Sequence, residues 1–201
     1  MNYIKDISLL DPNGTYSYTD YLLWQFEEKI ELLKGKIFKM SPAPNLKHQR
    51  ISWQMGLILG VFFKKKPCSV FSAPFDVRLY DSKKSEKASK EIHTVVQPDL
   101  CIICDKAKLD EQGCVGAPDL IVEILSKGNT EKEMKIKYEL YEESGVLEYW
   151  VIYPYEENLL RFVLNEKQKY ELKQIYTTND VVTTPLFPEL CVNLEEVFTE
   201  E

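Results

Sequence analysis

A chain of 201 residues, 44% hydrophobic and 28% charged, has the make-up of one folded domain spanning residues 1–201 and excludes a disordered tail or a coiled-coil rod. At this size a compact fold hides roughly 70% of the surface of its open chain, so stability calls for neither a disulfide framework nor a structural metal. The formal charge of −7 gives no sign of nucleic acid binding by the molecule as a whole, and no apolar run approaches the roughly 20 residues that cross a bilayer.

The first residues, MNYIKDISLLDPNG, carry Asp6 and Asp11 and no basic segment leading into an apolar stretch. A secretory signal is therefore not expected, and the chain is assigned to the cytoplasm. Tyr16 to Glu28 predicts a short helix capped by Ser17 or Thr19, with Tyr21, Leu22, Trp24 and Phe26 as apolar surface. KIELLKGKIFKM then predicts a hairpin turning at Lys34-Gly35. A long amphipathic helix follows, its stripe running through Ile51, Met55, Ile58, Leu59 and Phe62.

Beyond it the charge balance reverses. From Lys64 to Lys90 there are eight basic residues against three acidic ones, which suits either a solvated lysine-rich loop or a phosphate-backbone partner. The polar run from Asp81 to Glu91 is the best candidate for a mobile loop. Strands are expected at CSVFSAPFDVRLY, DLCIIC and DLIVEIL, a helix from about Thr130 to Glu143, and strands at LEYWVIY, RFVLN and KYELKQIY. Hairpin-like and helix-linked strands both occur, so the predicted class is α/β (α+β): a mixed sheet flanked by helices.

The five cysteines, Cys68, Cys101, Cys104, Cys114 and Cys191, are odd in number and suit reduced thiols. Cys101 and Cys104 lie three apart in a strand, where they point to opposite faces, which argues against zinc.

Glu123 is the most informative residue. It sits inside Leu120–Leu125, an apolar run that reads as a strand covered on both faces, and a buried carboxylate must be neutralised, paired or exposed at a cleft. Structural pairing, metal ligation and acid catalysis all satisfy that demand. Asp99 opens a similar run after Pro98 and is either a strand-end turn residue or a second carboxylate for one divalent cation. Asp119 shares the parity of Glu123 but lies two pleats away, as a turn residue would. Lys137 shares a helix face with Met134 and Tyr141, so its ammonium either snorkels to water or sits beside the carboxylates. Glu31, in the hairpin, and His48, on the long helix's apolar side, could each line a cleft.

Three segments, ELLKGKIFKMSPAPNLKH, QPDLCII and GAPDLIVEILSKGNTEKEMKIKYELYEESGVLEYWVIYP, resemble the Uma-type family of putative restriction endonucleases, a branch of the PD-(D/E)XK nuclease superfamily. The resemblance covers most of the chain. It implies a restriction-endonuclease-like core and carries the motif aspartate to Asp99, the second acid to Glu123, the helix lysine to Lys137 and an amino-terminal acid to Glu31. Superfamily members usually place the lysine two residues after the second acid. That position here is Leu125, so the lysine role passes to Lys137.

The implied activity is magnesium-dependent hydrolysis of phosphodiester bonds in DNA, with manganese as substitute metal. Asp99 and Glu123 would hold the ion, a carbonyl such as that of Ile124 completing its shell, while Lys137 assists the attacking water or the transition state. Glu31 would complete the acidic cluster. The alternative is a degenerate module that holds nucleic acid or a protein partner without cutting. A homodimer would match the symmetry of a duplex.

Overall fold

The computed structural model describes residues 3–40, 45–80, 92–126 and 131–199, without the side chains of residues 131–133. The expected mobile loop at 81–91 lies outside them, as do Lys83, Lys84, Lys87 and Lys90 of the cationic stretch.

Near the amino terminus a single 3-10 turn covers Ile7–Leu9, and α1 (Tyr18–Tyr21) follows, opened by a capping box between Ser17 and Asp20. The predicted continuation to Glu28 does not form. Ile4 bonds to Leu23 and Gln25 through the main chain and draws that segment into an extended bridge, so a tertiary contact overrides local propensity. β1 (Ile30–Leu33) and β2 (Lys36–Lys39) form the predicted hairpin. Lys34 and Gly35 turn it with φ of 51° and 80°, the doubly positive conformation that fits the strands' twist.

α2 (Leu46–Phe63) starts at Asn45, whose side chain accepts from the His48 N–H. It buries Ile51, Met55, Leu59 and Phe63, with His48 on the same side. The segment predicted as strand after it divides in two. β3 (Ser69–Ser72) and β4 (Val77–Leu79) flank the cis Ala73-Pro74 peptide and belong to different sheets.

The remaining elements are β5 (Thr94–Val96), β6 (Leu100–Ile103), β7 (Leu109–Asp110), β8 (Gly113–Val115), β9 (Leu120–Ile124), α3 (Glu131–Ser144), β10 (Glu148–Tyr153), β11 (Asn158–Leu164), β12 (Tyr170–Thr177), β13 (Val181–Thr184), β14 (Phe187–Asn193) and α4 (Leu194–Phe198). They build two mixed six-stranded sheets, β2-β1-β5-β4-β8-β7 and β12-β11-β10-β9-β6-β3, and the hairpin β13-β14. In the second sheet β9 and β10 are parallel and are joined through α3, as a parallel pair requires.

Two cores sandwich that sheet. Leu100, Val122, Ile124, Trp150 and Ile152 face α2 and α4, whereas Cys101, Ile121, Tyr149 and Val151 face α3 and the first sheet. Alternation along the strands sends neighbouring residues to opposite cores. The pairing of Ser69 with Ile103 sets Cys68 opposite Cys104, and these two form a disulfide, so the expectation of five reduced thiols is corrected. Cys101 and Cys114 are free and buried, and Cys191 is free and exposed. Arg78, counted in the cationic stretch, is buried as well, donating to Cys114 O and Asp110. Among the described residues no helix is long and apolar enough to cross a membrane.

Candidate active site

The antiparallel register pairs Leu100 of β6 with Val122 of β9, so one step further along the strands Asp99 faces Glu123. Glu123 is on the side covered by α3, and Asp99 lies at the edge of that face. The Ile124 N–H donates to Asp99 Oδ2 at 2.7 Å, tying the carboxylate to the end of β9. α3 crosses this face and lowers Lys137 onto it. Lys137 Nζ donates to Glu123 Oε1 at 3.0 Å and to Glu31 Oε1 at 3.1 Å. Glu31 comes from β1 in the other sheet and accepts a second bond, from Gln97 N at 2.9 Å. Four residues from four distant segments thus meet where the two sheets and α3 converge.

The groups are deeply placed. Glu31 is 2% exposed, and Glu123 and Lys137 are each 8% exposed. Burial pushes the Glu123 carboxyl up to about 7, with Asp99 and Glu31 adding to the rise and Lys137 and Tyr141 opposing it. Burial also works against the Lys137 ammonium, but Glu123 and Glu31 outweigh it and hold the proton well above the usual lysine range. Tyr141, one helical turn beyond Lys137 and fully buried, donates to the same Glu123 oxygen at 2.6 Å.

His48 reaches the opposite end of the cluster from α2, its Nε2 lying 3.3 Å from Asp99 Oδ1. Its Nδ1 is buried with no hydrogen-bond partner among the described residues. Burial lowers the imidazole's affinity for a proton, yet Asp99 and the Ile124 main chain together raise it above the ordinary value. Asp119 stands apart, accepting from Cys104 N at 2.7 Å as a strand-end residue does.

The geometry therefore brings together Glu31, Asp99, Glu123 and Lys137, and it adds His48, Tyr141 and the Gln97 amide. Tyr141 had a signal in the sequence, its i+4 spacing from Lys137. Gln97 had none, because its contribution to Glu31 comes from the backbone.

Two carboxylates, Glu31 and Glu123, share the Lys137 ammonium, while the nearby Asp99 lies against the His48 imidazole. Among the described residues no three His, Cys, Asp or Glu side chains gather into a ready-made metal shell. Magnesium does not require one, since it takes one or two carboxylates and keeps several waters. Asp99 and Glu123 supply hard oxygen donors of that kind, and a divalent ion fits this donor set.

A mixed sheet flanked by helices is the core that the sequence resemblance implies, and the comparisons agree on that fold. The profile of Uma2, described as "Putative restriction endonuclease", matches residues 18–195, and the chain belongs to that family. Its fold is shared with the crystal structure of "a putative nuclease belonging to DUF820 from Anabaena variabilis ATCC 29413" at a TM-score of 0.70 and 19% identity, over 91% of this chain and 97% of that one. No curated protein matches the chain.

Proposed function

We propose that the chain is a metal-dependent endonuclease that hydrolyses phosphodiester bonds in DNA. The observation that supports this reading best is the meeting of Lys137 with Glu31 and Glu123, beside the Asp99 that faces Glu123. Asp99 and Glu123 would hold a magnesium ion, or manganese in its place, with the Ile124 carbonyl as a further donor. Bound there, the ion would supply Lewis-acid polarisation of the phosphoryl group and acidify a water.

The chain's own groups do the rest. The Ile124 N–H orients Asp99, and Tyr141 and Lys137 together fix one oxygen of Glu123. Lys137 keeps its proton and offsets negative charge developing on the phosphate. Glu31, held by the Gln97 N–H, stops the ammonium from closing entirely onto Glu123.

A module that binds without cutting is the second reading. It is favoured by the engagement of Glu123 Oε1 with Lys137 and Tyr141, which gives the carboxylate a structural partner with no ion present. Incubating plasmid and single-stranded DNA with the wild type and Glu123→Gln separates the two readings. The enzyme cuts with magnesium or manganese, stops with chelator, and loses at least about a hundredfold in rate on substitution. Cleavage that survives Glu123→Gln would reject the site, and absence of cleavage under either metal would favour the module.

A further inference from the structure

Between α2 and the edge strand β3 runs an open groove of about 550 Å³, outside the acidic cluster. Trp53, Leu57 and Val61, spaced four apart on the outward face of α2, form one wall and are 70%, 49% and 67% exposed. Val70 of β3 and Leu100 of β6 supply further apolar lining. An apolar ridge this open requires an occupant or carries a solubility penalty.

Two features identify the occupant. The first is charge. In a protein of net charge −7, the stretch from Asn45 to Lys66 contains no acidic residue; of its five basic ones Lys47 and Lys66 are paired with Glu157 and Glu189 while Lys64 lines the groove, and among the described residues no carboxylate does. Lys64 closes its far end. The second is continuity with the acidic cluster. Gln49 in the lining follows His48, which touches Asp99, and Ala73 in the lining donates its N–H to Asp99 O at 3.1 Å. From that end the helix carries the groove over 16 residues, about 24 Å at 1.5 Å per residue, to Lys64.

We propose that this groove binds a single strand of nucleic acid leading into the acidic cluster. Bases stack on Trp53 and rest on Leu57 and Val61, while Lys64 meets a phosphate where the strand leaves. A duplex would present mainly its phosphates and leave the apolar wall unmatched, whereas unpaired bases offer a π-face to it. The proposal rests on the nuclease reading for the direction of the strand, but strand binding is measurable without cleavage.

The groove has room for a decisive variant. A Cβ at Gly60 would meet nothing within 4 Å, so Gly60→Glu adds a carboxylate to the lining without a packing clash and at a better helix former. The test follows a fluorescent oligothymidylate by anisotropy, in chelator, against wild type, Trp53→Ala and Gly60→Glu. Each substitution weakens binding roughly tenfold, as loss of one stacked base or repulsion of one phosphate would. A hairpin duplex of the same length binds more weakly and is insensitive to Trp53→Ala.

Unchanged affinity in both variants overturns the groove whatever cleavage assays show. Equal sensitivity of the duplex overturns the single-strand assignment. Sedimentation that shows a wild-type dimer dissociated by Trp53→Ala, with strand affinity unaltered, gives the face to a second copy of the chain and overturns the proposal. Loss of strand binding in both variants of a protein that never cuts DNA supports the groove and removes the nuclease reading alone.

Discussion

Lys137 answers two buried carboxylates at once, and this makes it the residue on which the cluster's stability turns. Removing one partner of a buried ion pair leaves uncompensated charge and costs about 3–5 kcal/mol. Lys137→Met is therefore expected to lower the urea midpoint of unfolding by that equivalent at unchanged slope, and an unaltered midpoint would mean that Glu31 and Glu123 do not depend on it. The acids and the lysine were legible because charge inside an apolar run, or on an inward helix face, is costly enough to demand a reason. Tyr141 was legible only as a neighbour of Lys137 on one helix face, and Gln97 not at all, since a backbone N–H carries no such penalty in the sequence until its neighbours are known. His48 was legible only as a cleft candidate. Its contact with Asp99 depends on where the start of α2 meets the start of β6.

At the scale of elements, α2 separates a packing face from an open one. Leu59→Ala, at a fully buried position, should cost about 2–5 kcal/mol, and Leu57→Ala, half exposed, within about 0.5 kcal/mol by the same denaturation assay. Similar losses at both would contradict the face assignment. β10 is tied to β13 through Glu148, which accepts from Trp150 Nε1 and Thr184 Oγ1 while nearly fully buried. Burial raises its pKa, with the two hydrogen bonds only partly offsetting the rise. The folded chain thus holds this proton more tightly than the unfolded one, so the carboxylate reduces stability above its folded pKa and ceases to do so as pH falls below the ordinary glutamate range. Glu148→Gln should raise the denaturation midpoint in mildly alkaline buffer, the gain disappearing near pH 4, and a gain that grows in acid would refute the account. Long periodic segments such as α2, α3, β9 and β10 were readable in the sequence. β5, β7 and β8, two or three residues each, were too short to show a period, and β13 and β14 hide among threonines and prolines.

For the whole molecule, the sequence supported a mixed α/β architecture but not its division into two sheets, because alternation fixes which residues share a face and says nothing of which sheet a strand joins. That division matters to the site. It brings Glu31 from one sheet to the Lys137 ammonium that also holds Glu123 of the other, beneath α3. Family membership and the shared fold support a nuclease, and the buried acidic cluster is where its proposed metal would sit. Calorimetric titration of manganese into the intact chain tests this most directly. Saturable binding is expected, and Asp99→Asn and Glu123→Gln should each weaken it roughly tenfold or more. Absence of binding to the wild type, or binding untouched by both substitutions, would contradict the proposed site.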